Sequence, residues 1–476
     1  MKRKAARLYV DGQWIDGEDV SDIRSPYDHA LAGRHHRAGP VQVEQALAAA
    51  TRAFAAHRND TPVERAASLC AMARILERRA EEFAQTICAE AGKPIRFARI
   101  EVERSLHTFS WSAEEAKRIG GEVIPLDVIP AGRGHVAMTR RFPVGVVLAI
   151  TPFNFPLNLV AHKVGPAIAA GCSIVLRPAS QTPLTSLLLA EVAEEAGLPA
   201  GLLNVVPCPV QLAETMIVDP RVSMVTFTGS PLVGWPLKER AAHRKVTLEL
   251  GGNAAVVIDA GVDPAPLLGR LASAAYGYAG QSCISVQRIL VPQGIEEAFI
   301  GAFTAHVREK VPFGDPALEE TIAGPLIRSE EADRVMAWIA EARETGAEIL
   351  IGGRRSDNVI EPTLLRRVDP KLRISCQEVF GPVAVVDTFA DFDEALDKVN
   401  GSEYGLQAGI FTHDIDHAFR AFRDLEVGGV MINEMPTWRI DHMPYGGVKK
   451  SGFGREGVRF AIEEMTEARL LVLNVE

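Results

Sequence analysis

VGVVLAITPFNFPLNLVAHKVGPAIAAGCSIVLRP, residues 144–178, places an apolar run, a Pro- and Asn-bearing turn, a long apolar helical stretch and a second apolar run end to end. Runs rich in Val and Ile with no polar alternation suit strands covered on both faces. A helical crossover between two such strands makes them parallel neighbours. The unit repeats downstream: SIVLRP is followed by the helical TSLLLAEVAEEAG, then LLNVV, then a helix, then MVTFTG. Four strands separated by helices predict a parallel α/β sheet. Ligands of such sheets gather at the carboxyl edge of the strands.

Outward from this unit the pattern changes. Residues 41–118 are Ala-, Glu- and Arg-rich with apolar positions three and four apart, and read as mostly helical, with a stop at Gly92. EVIPLDVIPAGRGHVAMTRRFPVG, after Gly120–Gly121, alternates as two short strands around a Gly-containing turn. A second α/β section runs from about Gly252 to Arg455, with strands at AAVVID, RILVP and AGIFT. EARLLVLNV at the end is a lone late strand, able to extend a sheet with the 121–142 hairpin, within the chain or across subunits.

At 476 residues, two or three domains are expected. With 47% hydrophobic and 24% charged residues the composition is that of a soluble globular enzyme. A formal charge of −10 and scattered basic residues give no footprint for nucleic acid. The six cysteines form no CxxC pair and have no His cluster beside them, so no metal site is expected and a reducing compartment is. The basic start lacks an apolar signal core. The longest apolar run, Val164 to Leu176, falls short of the roughly 20 residues a membrane span needs. A cytoplasmic location, with no membrane and no nucleic-acid partner, is expected.

Candidate chemistry begins at GQSCISVQR. Cys283 sits among small polar neighbours, which suits a reactive thiol; an ordinary loop cysteine is the competing reading. In the strand KVTLELGG, Glu249 shares a face with Lys245 and Thr247 at the carboxyl edge; a solvated edge carboxylate is the alternative. In TPFNFP two prolines brace Asn154, whose amide suits a developing oxyanion, against the plain turn reading. MVTFTGS passes through Gly229–Ser230 into a helix whose first turn can face a phosphate, with Gly234 further on. That spacing is neither a P-loop nor a GxGxxG fingerprint.

TPFNFP, KVTLELGGN, GQSC, EVFGPV and PYGGVKKSGFGRE, in this order, resemble the aldehyde dehydrogenase superfamily, closest to its lactaldehyde-dehydrogenase-like branch. The 249-to-283 spacing matches, and the resemblance spans about Leu8 to Val475. It implies an α/β fold in three parts. A Rossmann-like cofactor domain takes 1–120 and 143–251, an α/β catalytic domain 252–455, and a small β oligomerisation extension 121–142 and 456–476. It implies Cys283 as nucleophile, Asn154 with the Cys283 backbone N–H as oxyanion donors, and Glu249 as base for thioester hydrolysis. NAD or NADP is the implied cofactor. Thr151, Pro152, Phe153, Arg177, Pro178, Ala179, Ser180, Gly229, Ser230, Gly234, Leu250, Glu378 and Phe380 are the implied cofactor contacts. Glu378 would hold the nicotinamide ribose and Phe380 pack near it. The usual pattern has Lys at the position of Arg177 and often Glu at that of Ser180. A serine removes the repulsion of a 2′-phosphate, and Arg177 offers a fork of donors, so NADP use is expected beside NAD. CPV at 208–210 departs from the usual glycines.

By position, the substrate pocket takes in Asn158 and His162 on one face of the helix after Asn154. Arg104, from ERSLHTF, and Arg439, from PTWRIDHMP, are placed at the same mouth. Two arginines with His and Asn predict a short polar or anionic aldehyde; structural ion pairs for both arginines are the alternative. The expected assembly is a homodimer or homotetramer. The rival functions are a coenzyme-A-acylating dehydrogenase, a non-catalytic structural homologue, and a thiol hydrolase without redox chemistry.

Overall fold

The computed structural model describes residues 5–475. Its first sheet has eight strands in the order Gln13–Ile15, Leu8–Val10, Leu203–Val205, Ser173–Arg177, Val146–Ile150, Val222–Thr228, Lys245–Glu249, Gly452–Phe453. The five from Leu203–Val205 to Lys245–Glu249 are parallel. Every residue of Val146–Ile150 and Ser173–Arg177 is buried, which is why these runs show no alternation. One face carries helices Pro62–Arg78, Ala80–Ala91, Ile95–Ala116, Asn158–Ala170 and Pro183–Glu195. The opposite face carries Pro40–His57, Val210–Val218 and Pro231–Ala241.

The expected helical run over 41–118 is present as four helices, with breaks at 58–61, at Arg79, whose guanidinium is tied to Glu82 and Glu191, and at 92–94. Gly92 ends its helix in the left-handed conformation, φ 63°.

The second sheet runs Glu348–Ile351, Thr363–Arg366, Val383–Phe389, Val286–Pro292, Ala254–Ile258, Gln407–Phe411, Gly429–Ile432. All its neighbours are parallel except Glu348–Ile351, which is antiparallel to Thr363–Arg366. The third sheet joins Val123–Pro125, His135–Pro143 and Thr466–Asn474. The late strand thus finds its partner inside the chain, in register from Thr466 opposite Pro143 to Asn474 opposite His135.

Two stretches lie elsewhere than the expected boundaries put them. Gly452–Phe453 closes the edge of the first sheet, antiparallel to Lys245–Glu249. Helix Val458–Glu464 sinks Val458 and Ile462, followed by Met465, into the core of the first unit. The span 456–476 therefore first contributes to the unit around the first sheet and only from Thr466 runs out along the hairpin. Its apolar side chains at 458, 462 and 465 have to be buried, and the nearest apolar surface is helix Asn158–Ala170.

Candidate active site

The strand Val146–Ile150 runs out into Thr151, Pro152, Phe153 and Asn154 at the carboxyl edge. Asn154 is buried, and its Nδ2 donates to the Gln281 carbonyl at 3.0 Å, two residues before Cys283. One amide N–H remains for another acceptor. The Asn154 turn and the cysteine loop are thereby locked together.

Glu249 ends the strand Lys245–Glu249 and is 2% exposed, so the solvated-edge reading does not hold. Neither carboxylate oxygen has a hydrogen-bond partner among the described residues. Burial pushes its pKa well above the ordinary carboxylate range and nearby Glu456 adds to this, against Arg439, Lys163 and Arg455.

Three successive residues with positive φ, Tyr278 (52°), Ala279 (54°) and Gly280 (69°), turn the chain toward Cys283. Such backbone is costly for residues with a Cβ. It is held by the Tyr278 N–H donating to Ile322 and the Tyr278 hydroxyl donating to the Ala91 carbonyl. The loop also presses on the two glycines after Glu249: a Cβ on Gly252 would lie 2.2 Å from the Cys283 carbonyl oxygen. Cys283 is half-buried, and its Sγ is 3.0 Å from the Tyr445 hydroxyl. Burial pushes the thiol pKa up to about 12; the Tyr445 hydrogen bond and Arg439 pull it down, while Glu378 and Glu249 push it further up.

Behind these loops lies an ion pair that sequence reading missed. Lys93 and Glu101 are each 1% exposed and bonded to one another. The other Glu101 oxygen accepts the N–H groups of Leu157 (2.8 Å) and Asn158 (3.1 Å), capping the helix just after Asn154. The Lys93 Nζ lies 3.6 Å from the Phe155 ring centroid and 4.7 Å from that of Tyr278. One ammonium thus faces the neighbour of Asn154 and the turn leading to Cys283.

The expected cofactor contacts fall into three places. Arg177 and Ser180 meet each other: Arg177 Nη2 donates to Ser180 Oγ at 3.0 Å, and the Cys208 carbonyl accepts from Nη2 at 3.2 Å and Nε at 3.3 Å. Pro178 and Ala179 connect them, and Ser180 is exposed. Gly229 and Ser230 open helix Pro231–Ala241, whose start has no side-chain cap; Pro231 has no N–H and those of Val233 and Gly234 donate to the Ser230 carbonyl, so Leu232 offers the N–H of the first turn that can face a phosphate. Gly234 packs on Leu250: a Cβ there would lie 2.4 Å from the Leu250 side chain. Glu378 Oε1 accepts the Gly252 N–H at 2.9 Å, and burial raises its pKa to about 7. Phe380 meets Phe153 edge-on, centroids 5.9 Å apart, bridging the strand end and the second unit.

Arg104, Asn158, His162 and Arg439 do converge, around Asp441, which sequence reading passed over. Arg104 grips Asp441 through Nη2 (2.7 Å) and Nε (3.1 Å). Asn158 Nδ2 donates to Asp441 Oδ1 at 3.0 Å, and His162 Nε2 lies 2.9 Å from the same oxygen. Burial opposes ionisation of Asp441, yet His162 and Arg104 hold its pKa well below the usual range. Burial keeps His162 neutral, so its proton must sit on Nε2 to bond the carboxylate. Arg439 Nη2, 3.2 Å from that Nε2, then finds no lone pair there. Arg439 stacks on Tyr445 with Cζ 3.6 Å from the ring centroid, lies 3.7 Å from Glu456 Oε2, and its Nε has no partner. The ion-pair alternative therefore holds for Arg104, while Arg439 is only loosely matched.

Lys163 is the single charge in a helix whose thirteen residues are all buried, and it pairs with Glu456 at 2.7 Å. An isolated lysine in LNLVAHKVGPAIAAG was the available signal for a buried counter-charge; its partner, far along the chain, was not. Among the described residues no His/Cys/Asp/Glu group could hold a metal, and no helix is long and apolar enough to cross a membrane.

A parallel sheet whose carboxyl edge opens onto a cysteine loop from a second sheet is the architecture of an α/β dehydrogenase. The aldehyde dehydrogenase family profile matches residues 14–471, and the chain belongs to that family. It is 45% identical to a 3-sulfolactaldehyde dehydrogenase of Priestia aryabhattai, over 98% of each chain. It superposes on aldehyde dehydrogenase 21 of Physcomitrella patens in complex with the product succinate at TM-score 0.96, with 40% identity, covering 100% and 99% of the chains. The NADP-dependent glyceraldehyde-3-phosphate dehydrogenase of Bacillus halodurans, complexed with NADP, matches at TM-score 0.96 and 33% identity over 100% of both.

Replacing Lys93 by Met strands the buried Glu101 carboxylate. Expected are a stability loss of about 3–5 kcal/mol in denaturant melts and slowed turnover in the folded fraction. A loss below about 1 kcal/mol, the scale of an exposed pair, refutes the clamp.

Proposed function

We propose that the protein oxidises a short polar or anionic aldehyde to its carboxylic acid, with NAD or NADP as hydride acceptor. The observation that carries this is the meeting of three segments distant in sequence. Asn154 is tied to the Cys283 loop through the Gln281 carbonyl, and Glu249 is near enough for its charge to raise the Cys283 pKa. Cys283 sulfur bonds the aldehyde carbon, giving a thiohemiacetal whose oxyanion takes the remaining Asn154 N–H and the Cys283 backbone N–H. The dinucleotide, when bound, supplies the acceptor for the hydride leaving that carbon, and a thioester remains on Cys283. Glu249 takes a proton from the attacking water, the acid departs and the thiol is restored. A hydrolytic carboxylate at this place favours hydrolysis over acyl transfer to coenzyme A.

The unit around the first sheet is the cofactor domain and that around the second the catalytic domain. The uncapped helix start at Ser230, the Phe153–Phe380 wall and the buried Glu378 suit phosphate, nicotinamide and ribose in turn. Exposed Ser180 sets no carboxylate against a 2′-phosphate, while the Arg177 Nε and Nη2 donors expected to meet one are taken by the Cys208 carbonyl and Ser180. In the pocket, Arg439 is the anion receptor, since Arg104 is already held by Asp441. The relative named for sulfolactaldehyde and the neighbour bound to succinate support an anionic substrate.

Reduced-nicotinamide absorbance across an aldehyde panel with each cofactor tests the reading. Succinic semialdehyde, lactaldehyde, 3-sulfolactaldehyde and glyceraldehyde 3-phosphate are expected to outrun long aliphatic aldehydes. NADP is expected within about a thousandfold of NAD in kcat/KM, a gap of about 4 kcal/mol. Preference for the long aliphatic aldehydes sinks the anionic reading.

Cys283→Ala abolishes turnover. Glu249→Gln gives one burst of reduced cofactor and then stalls. A base must be unprotonated to act, so the raised Glu249 pKa puts the rising limb of deacylation at higher pH than a free carboxylate would. An unimpaired steady state in the Gln variant removes Glu249 from the mechanism.

The chain works in the cytoplasm as a homodimer or homotetramer. Leu470, Leu471, Val472 and Leu473 point apolar side chains to both faces of the third sheet, and all are exposed. Leu471→Asp with Leu473→Asp is expected to lower the light-scattering mass to that of one 51.5 kDa chain. An unchanged mass places the interface elsewhere.

A further inference from the structure

The mechanism above leaves one group beside the nucleophile without a task. Tyr445 is 4% exposed, and its hydroxyl has the Cys283 sulfur, 3.0 Å away, as its hydrogen-bond partner. Its backbone is fixed on both sides: its N–H donates to the Glu456 carbonyl at 3.0 Å, and the Glu456 N–H donates back at 2.7 Å. The Arg439 guanidinium covers its ring, Cζ to centroid 3.6 Å, and Ile284 and Leu406 pack with it. A phenol with a cation over its ring is a stronger donor than a free one.

We propose that Tyr445 is a catalytic residue whose hydroxyl donates to the Cys283 sulfur and stabilises the thiolate that attacks the aldehyde. The proposal rests on Cys283 being the nucleophile. Either atom can donate while the sulfur carries its proton. Once that proton has left for solvent, only the phenol can. Burial holds the Tyr445 hydroxyl pKa well above the ordinary value, so it keeps its own proton and remains a donor. When carbon bonds to sulfur the negative charge leaves it, so this stabilisation belongs to the thiolate alone. The other charged groups facing the sulfur are Arg439, which also favours the thiolate, and Glu378 and Glu249, which oppose it. All three persist when the hydroxyl is removed.

The test is alkylation of Cys283 by iodoacetamide across pH in cofactor-free protein, read by mass spectrometry of the peptide carrying it, so that the other cysteines do not interfere. Hydrogen bonds to a charged group are worth about one to two pKa units. Tyr445→Phe should therefore lower the fraction of thiolate at a fixed pH by about tenfold to a hundredfold. Thiolate reactivity rises as its basicity rises, so about a threefold to tenfold slower alkylation is expected at neutral pH rather than the full loss of thiolate. The Phe variant keeps the ring, the Arg439 stack and the backbone pair with Glu456, so dinucleotide binding should be unchanged. A Tyr445→Phe profile that superimposes on the parent, or shifts down, overturns the proposal. Alkylation needs neither aldehyde nor dinucleotide, so its outcome stands apart from that of the aldehyde panel.

Discussion

Lys93 and Glu101, an ion pair buried on both sides, hold the segments proposed to carry the chemistry. Two charges taken out of water repay that cost only where geometry and further hydrogen bonds are good. Here Glu101 satisfies two N–H groups at the start of helix Asn158–Ala170, and Lys93 spreads its charge over Phe155 and Tyr278. The same pair therefore fixes the turn bearing Asn154 and the left-handed turn before Cys283. Burial depresses the Lys93 pKa to about 8, with Glu101 working against the fall, so the attraction of its partner and the aromatic faces keeps the ammonium useful.

Burial raises the pKa of both Cys283 and Glu249, which disfavours their facing one another as two anions. In the proposed reaction each is needed as an anion at a different stage, the thiol for attack and the carboxylate for hydrolysis. Lys163 and Arg439 meanwhile hold Glu456 charged against the cost of burial, which keeps a fixed negative charge near Glu249 and favours its protonated form. Asp441 plays the matching part in the proposed substrate pocket: by occupying Arg104 it leaves Arg439 as the loosely matched cation.

The parallel sheet was readable because its strands are buried on both faces, so period and composition report on them directly. Cys283, Asn154 and Glu249 stood out by local context, a small polar loop, a Pro-braced turn and a strand end before two glycines. Asp441, Tyr445, Glu456 and Glu101 did not: Tyr445 and Glu456 lie inside the quoted PYGGVKKSGFGRE and Asp441 two residues after Arg439, yet nothing local tells which side chain each would meet. Their roles come from partners far away in the chain. Helix Val458–Glu464 was missed for the same reason: short and amphipathic, it gains its place only when three apolar side chains meet helix Asn158–Ala170.

By itself the sequence determined the α/β class, the alternation of strand and helix, and the residue types able to do thiol chemistry. These depend on local periodicity and on the intrinsic properties of side chains. Only the tertiary structure decided which carboxylate is buried and which arginine is already paired. It also decided that a phenol lies against the sulfur. Those outcomes depend on desolvation and on distances between distant segments, quantities that exist only once the chain has closed on itself.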